Sequence, residues 1–357
     1  MKGSKFFVLI AVTVLTLGLA LFLSRPDTVD PENDQSQALV PGLKDQVNSI
    51  DRLRISSAAD PAIELVRSDE RWRVENAENY EADFELVYQL LRDLAAGERA
   101  EQRTSNSEWY QRLGVADVGS ANPASEGADE AAASFEVAFP GTDLPSLIIG
   151  RAGPAGESRF VRLANEEQVW LSDRDISVPP GVLDWLQRSV MDIPASELAE
   201  ITLRRADGEV VQLSPSDETG SQWLLMNVPD EREAEPSWRL NSVANALSNL
   251  QLEDVRRHEQ APEDANAALF VTRDGLNFVA TLFEDEQGAW VNFSVSAEVS
   301  ASAEDESMSD EAATSNADAA AVNARLSPWD FKLPSDKYQQ MTNRLEDLLV
   351  DLESEAD

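Results

Sequence analysis

"SDERWRV", residues 68–74, returns in altered form as "TGSQWLL", residues 219–225: a polar turn, one tryptophan, then strand-like residues. Trp72 and Trp223 stand 151 residues apart, and the chain around each tells the same story. Before the first lie "IDRLRI" and "AIELVR", in which apolar and polar residues alternate as they do in half-buried strands. After it, "ADFELVYQLLRDLAA" places Phe84, Val87, Leu90, Leu91 and Leu94 on one helical face. Around the second, "LAEITLRR" and "EVVQLS" read as strands, and "SWRLNSVANALSNL" groups Leu240, Val243, Leu247 and Leu250 on one face. The second copy carries a few extra residues near "DEREAEP". Both helices run into arginine-bearing segments, "GERAEQR" and "EDVRRHEQ".

The later parts correspond as well. "SFEVAF", "SLIIGR", "RFVRL" and "QVWLS" precede "DISVPPGVLDWLQRSVMDI", while "ALFVTR", "NFVATLF" and "AWVNFSV" precede "WDFKLPSDKYQQMTNRLEDLL". Each closing stretch is read as an extended apolar triplet, a proline and an amphipathic helix, and Ile176 and Phe331 are 155 residues apart. The expected fold is therefore α+β: two tandem repeats with mainly antiparallel sheets, residues 44–193 and 194–352, each of ordinary domain size. Residues 117–134 and 296–324, built from Ala, Ser, Asp, Glu and Asn, lack large apolar side chains and are expected to be mobile loops.

The amino terminus adds a membrane element. Phe6 to Leu23 is an 18-residue run without charge, long enough as a helix to cover about 27 Å. A cleaved signal peptide is the alternative, but its apolar region is usually about 7–15 residues and ends in a small-x-small site, which "LFLSRPD" does not offer. Residues 1–24 are expected to be an uncleaved anchor, and 25–43, acidic and proline-bearing, a flexible tether. Lys2 and Lys5 precede the span and acidic residues follow it, so the amino terminus should stay in the cytoplasm and the repeats lie in the periplasm.

Composition narrows the chemistry. The 357-residue chain carries 29 Lys and Arg against 66 Asp and Glu, a formal charge of −37, which would repel a phosphate backbone and argues against nucleic-acid binding. It contains no cysteine and one histidine, His258, so thiol chemistry, disulfides and imidazole clusters are excluded. His258, in "VRRHEQ", reads as a solvated residue at a helix end, because a general base would need an orienting carboxylate and a nucleophile. "GRAGPAG", Gly150 to Gly156, leads into a strand rather than a helix and reads as a hairpin connection, not a phosphate loop. Trp72, Trp170, Trp223 and Trp290 stand in apolar strand patterns, where packing is the default over ligand stacking. The acidic runs lack the spacing of a calcium loop. No catalytic, cofactor-binding or metal-ligating residue is singled out, and no enzymatic activity is expected.

The opening "VNSIDRLRI", the strand "RWRV", the helix "LVYQLLRDLAAGERAEQR", then "WYQRLGV" and "SLIIGR…SRFVRL…QVWLS" resemble a bacterial domain-of-unknown-function family of the DUF4340 kind. In the second copy "LFEDEQG" replaces the "GR" of the first. Members of that family are typically encoded beside ABC transporters of the gliding-motility type. The resemblance implies a non-enzymatic accessory subunit outside the cytoplasmic membrane, working with an ABC permease, its ATPase and a second exterior component. It brings no catalytic residue and no cofactor. The rival expectation is a periplasmic ligand-binding protein using the cleft between the repeats.

Overall fold

A computed structural model describes residues 37–58, 60–118, 134–297 and 306–350. In chain order it carries β1 (Gln37–Ala38), α1 (Leu43–Gln46), β2 (Arg52–Ser57), β3 (Ile63–Ser68), β4 (Arg71–Val74), β5 (Tyr80–Glu81) and α2 (Phe84–Ala96). Then come β6 (Glu98–Gln102), α3 (Tyr110–Leu113), β7 (Phe135–Ala138), β8 (Leu147–Ala152), β9 (Arg159–Leu163), β10 (Trp170–Ser172) and β11 (Ser189–Met191). They are followed by β12 (Leu198–Arg204), β13 (Val210–Pro215), β14 (Trp223–Leu225), α4 (Ser237–Ala244), β15 (Leu250–Gln251), β16 (Asp254–Arg257) and β17 (Asn266–Thr272). The last elements are β18 (Leu276–Asp285), β19 (Gly288–Ala297), α5 (Glu306–Leu326), β20 (Trp329–Lys332) and α6 (Ser335–Thr342).

The fold is α+β with mainly antiparallel sheets, and the chain divides into two compact units. The first holds the residues up to Ala62 together with Tyr88–Val178; the second holds Ile63–Val87 and the residues from Pro179 onward. This division differs from a single break near Pro194, because the β3–β5 ribbon belongs to the second unit.

In the first unit the strands are hydrogen-bonded in the order β1-β6-β10-β9-β8-β7-β2, all antiparallel. Alternation in β2 buries Leu53 and Ile55 and exposes Arg52 and Arg54. β8 is buried along both faces at Leu147, Ile148 and Ile149, because Val115, Val169 and the α3 turn cover its second side. In the second unit the large sheet runs β16-β20-β19-β18-β17-β12-β13-β14, with β11 paired to β15 apart from it. Its core face carries Ile201, Leu203, Phe270, Phe278, Phe293 and Phe331. The six strands β6-β10-β9-β8-β7-β2 and the six strands β16-β20-β19-β18-β17-β12 follow the same chain order across their sheets.

The stretch that opened the reading is a hairpin. β3 and β4 pair from Leu65↔Val74 to Ser68↔Arg71, leaving Asp69 and Glu70 as a two-residue loop with φ of 53° and 65°. Two left-handed residues are what a type I′ turn requires, and they match the twist of the flanking strands. Trp72, Trp170, Trp223 and Trp290 are all buried, as strand packing demands. "GRAGPAG" does join β8 to β9, with Gly153 N–H donating to Ser158 O at 2.8 Å.

Five expectations are corrected. Residues 37–43 are not tether: β1 pairs with β6, and Leu39, Val40 and Leu43 are buried, since this end of the segment is apolar enough to dock. The supposed loop 296–324 holds all but the last two residues of α5, which packs against β19. Its alanines have the highest helix propensity of any residue and are small enough for close packing. Ala319 and Leu326 are buried, and Asn323 Oδ1 accepts the Val295 N–H at 2.9 Å. The segment after Pro179 and Pro180 forms only a 3₁₀ turn, Val182–Trp185, because Gly181 N–H donates to Asp184 Oδ2 and the chain turns extended at Leu186. Phe84, at the first turn of α2, is exposed, whereas Val87, Leu90, Leu91 and Leu94 are buried as expected. His258 follows a strand, β16, rather than a helix. Among the described residues no helix is long and apolar enough to cross a membrane. The expected span 6–23, residues 25–36 of the tether, and 119–133 and 298–305 of the two loops lie outside the described residues.

Candidate functional site

The segments "WYQRLGV", "SLIIGR", "SRFVRL" and "QVWLS" meet at one place in the first unit. α3 ends at Gly114, whose φ of 71° and N–H bonds to Gln111 O and Tyr110 O close the turn. The turn then lies directly on β8. A β-carbon on Gly150 would stand 2.4 Å from Leu113 O and 2.8 Å from Gly114 O, so only glycine admits this approach.

Arg162 of β9 is buried beneath the turn. A buried guanidinium must find acceptors for all its N–H groups. Nε donates to Val115 O at 2.9 Å. Nη1 faces Ala164 O at 3.3 Å and Glu166 O at 3.0 Å, and Nη2 donates to Asp117 Oδ1 at 2.5 Å. The Tyr110 ring covers the guanidinium at 4.6 Å, and its hydroxyl donates to Glu167 O. Arg162 thus ties the 114–117 turn to the 163–167 loop.

Above it lies an open cleft of about 490 Å³, lined among others by Ser105, Asn106, Tyr110, Asp117, Arg162 and Glu166. Its basic floor is already neutralised, and Glu166 Oε2 is paired with buried Arg99 at 2.8 Å. Arg99 Nε also donates to Ala38 O, and its charge sits 5.6 Å from the Trp170 ring centroid. What the cleft offers a ligand is hydroxyl, amide and carboxylate, a polar hydrogen-bonding surface without an exposed cation.

Asp173 closes the β6–β10 edge below. Its Oδ1 accepts the Glu98 N–H at 2.8 Å while its own N–H donates to Glu98 O at 3.0 Å. Partial burial works against its charged form, but the hydrogen bonds from Arg174 and from the Glu98 N–H outweigh it and hold its pKa below the usual aspartate value.

The second unit builds a different network around β16 and β20. His258 Nδ1 lies 2.6 Å from Asp330 Oδ1, so the single histidine has an orienting carboxylate after all. Asp330 is buried and faces Arg256 Nε at 3.4 Å; Arg256 also pairs with Asp285 at 2.7 Å and lies 4.0 Å over the Trp290 ring. Desolvation raises the Asp285 pKa, yet the Arg256 hydrogen bond and the Gln287 N–H bring it below the ordinary value. Next to it Arg257 stacks on Trp329 at 3.9 Å, and its N–H donates to Glu78 Oε2 at 2.9 Å. Tyr80 meets Trp329 edge-on at 5.0 Å, and its burial pushes the phenol pKa far up. These contacts seat the β3–β5 ribbon on β16 and β20. Among the described residues no group of three or more His, Asp or Glu is arranged to hold a metal ion.

Sequence reasoning did not single out Arg162, Asp117 or Asp330. The available signal was an arginine between Val161 and Leu163 in an otherwise apolar strand, a position where a charge persists only if it is fully bonded.

No curated protein and no solved structure matches the chain. The family described as "Domain of unknown function (DUF4340)" matches residues 72–269, more than half of the chain, and the chain belongs to that family.

Proposed function

We propose that this protein is a non-enzymatic, single-span membrane protein whose exterior units serve as an accessory component of an ABC-type transport or envelope complex in the periplasm. The observation that supports the reading is the use made of the motif residues. Gly114, Gly150, Tyr110 and Arg162 spend their chemistry on one another and on backbone carbonyls, so they fix the shape of a surface. A shaped surface held near a membrane partner gains effective concentration, so weak contacts suffice.

The two exterior halves are, on this reading, copies of one ancestral domain. In support, six strands of each sheet follow the same chain order, and the hairpin β3–β4 has its counterpart in β13–β14. The arginine-on-tryptophan contacts Arg99–Trp170 and Arg257–Trp329 also fall at corresponding strands.

Affinity purification of the full-length protein from its own membranes in mild detergent tests the role. Recovery of an ABC permease and its ATPase in comparable amounts is expected, and deletion of residues 6–23 should abolish it. Recovery of the protein alone would overturn the reading. The open cleft above Arg162 favours a second one, binding of a small polar molecule, which would show as a ligand copurifying with the isolated chain.

A further inference from the structure

We propose that strand β14 and the start of helix α4 form a docking surface for a partner segment in which an apolar anchor is flanked by lysine or arginine. Leu224, Met226 and Trp238 are 51 %, 60 % and 66 % exposed, three of the seven large apolar side chains exposed among the described residues. Leu224 and Met226 alternate with buried Trp223 and Leu225, so the period of the strand turns both toward solvent. β14 is the last strand of its sheet. Asn241 bolts α4 to it, accepting the Trp223 N–H at 3.0 Å and donating to Ser221 O at 2.9 Å. Trp238 lies three residues before Asn241, on the solvent side of the helix that Asn241 fixes to the strand.

Charge decides the occupant. The loop from Met226 to Trp238 carries Asp230, Glu231, Glu233 and Glu235, and none of these four side chains has a partner among the described residues. Its one arginine, Arg232, is consumed by Glu346 at 2.8 Å and 3.1 Å and by Val350 O. Arg239 lies 6.0 Å over the Trp238 ring and donates to Asp347 O. An exposed tryptophan and methionine rimmed by free carboxylates suit a basic, apolar-anchored partner: the aromatic supplies binding energy and the rim supplies steering and selectivity. An anionic lipid surface would be repelled.

The strand half of the patch and its acidic rim belong to the second copy. In the register of the paired tryptophans, Leu224 and Met226 correspond to Arg73 and Glu75, and the acidic loop is where the second copy is longer. This comparison rests on the duplication proposed above; the exposure and the free charge do not.

The test places a photo-crosslinking phenylalanine derivative at Trp238 in the full-length protein in its own membranes, with the same replacement at exposed Trp109 of the first unit as control. The result expected is an adduct at position 238 alone, to a peptide that carries Lys or Arg beside an apolar residue. Its yield should fall at least about tenfold when Asp230→Asn, Glu231→Gln, Glu233→Gln and Glu235→Gln are combined, and fall with added salt. No adduct at 238, an adduct to a second copy, to lipid or to a peptide without basic residues, or a yield indifferent to the four neutral substitutions would each overturn the proposal, given an unchanged melting temperature. A basic partner that is no part of an ABC system would uphold the docking surface and remove the transport reading. A copurifying ABC permease with no adduct at 238 would do the reverse.

Discussion

Gly150 and Leu113 approach so closely that a β-carbon on the glycine would stand 2.4 Å from the leucine carbonyl oxygen. Neither the turn nor the strand can yield without disturbing the other. Gly150→Ala should therefore destabilise the first unit by roughly 1–3 kcal/mol, read as a lower urea midpoint. An unchanged midpoint would mean that the turn lifts off freely.

Arg162→Met keeps the apolar stem of the side chain but removes the guanidinium that donates to Val115 O, Glu166 O and the Asp117 carboxylate. The expected loss is about 1–3 kcal/mol, because the buried carbonyls lose their donor while the Asp117 carboxylate can turn to water. Arg162→Lys should recover little of it, because one ammonium cannot reproduce the planar fork.

Glu70 occupies the second position of the β3–β4 turn at a φ of 65°, a conformation that costs a side chain about 1 kcal/mol and glycine almost nothing. Glu70→Gly should raise the stability of the hairpin by up to about 1 kcal/mol, visible as slower amide exchange at Ser68 and Arg71, the pair that closes the turn. Faster exchange would show that the entropy lost on ordering glycine dominates.

Asp173 is depressed in the folded state by Arg174 and the Glu98 N–H against the opposing effect of burial. A depressed carboxylate contributes stability that is present above its unfolded pKa and lost as pH falls through the folded one. The first unit should lose stability as pH drops below about 4, and Asp173→Asn should flatten that part of the profile. Equal acid sensitivity in the variant would assign the effect to other carboxylates.

Lys337 donates to Asn245 O and Ser248 O, both at 2.7 Å, at the carboxyl end of α4, and burial lowers its pKa. Lys337→Met should cost about 1 kcal/mol through the two orphaned carbonyls, measured by thermal unfolding, whereas Lys332→Met, which removes one bond, should cost less.

What was legible in the sequence was periodic. Alternation in "RLRISS", "ITLR" and "ALFVT" identified β2, β12 and β17, and the spacing of Val87, Leu90, Leu91 and Leu94 identified α2. What was not legible depended on partners far along the chain or on backbone. His258 and Asp330 are 72 residues apart, so no local pattern joins them. Arg162 spends most of its donors on carbonyls, which have no identity in a sequence. α5 was hidden because alanine-rich acidic composition describes a disordered segment and a good helix equally well, and only β19 beside it decides between them.

The seating of Tyr80 against Trp329 and of Glu78 against Arg257 has a consequence for synthesis. The ribbon emerges from the ribosome early, and the strands it rests on emerge almost last. At about 5–20 residues per second the wait is on the order of tens of seconds. Throughout it a tyrosine destined for burial stays in water, available to a chaperone or a protease. A nascent chain stalled before β20 would keep that ribbon homeless, and so carry its own mark of incompleteness.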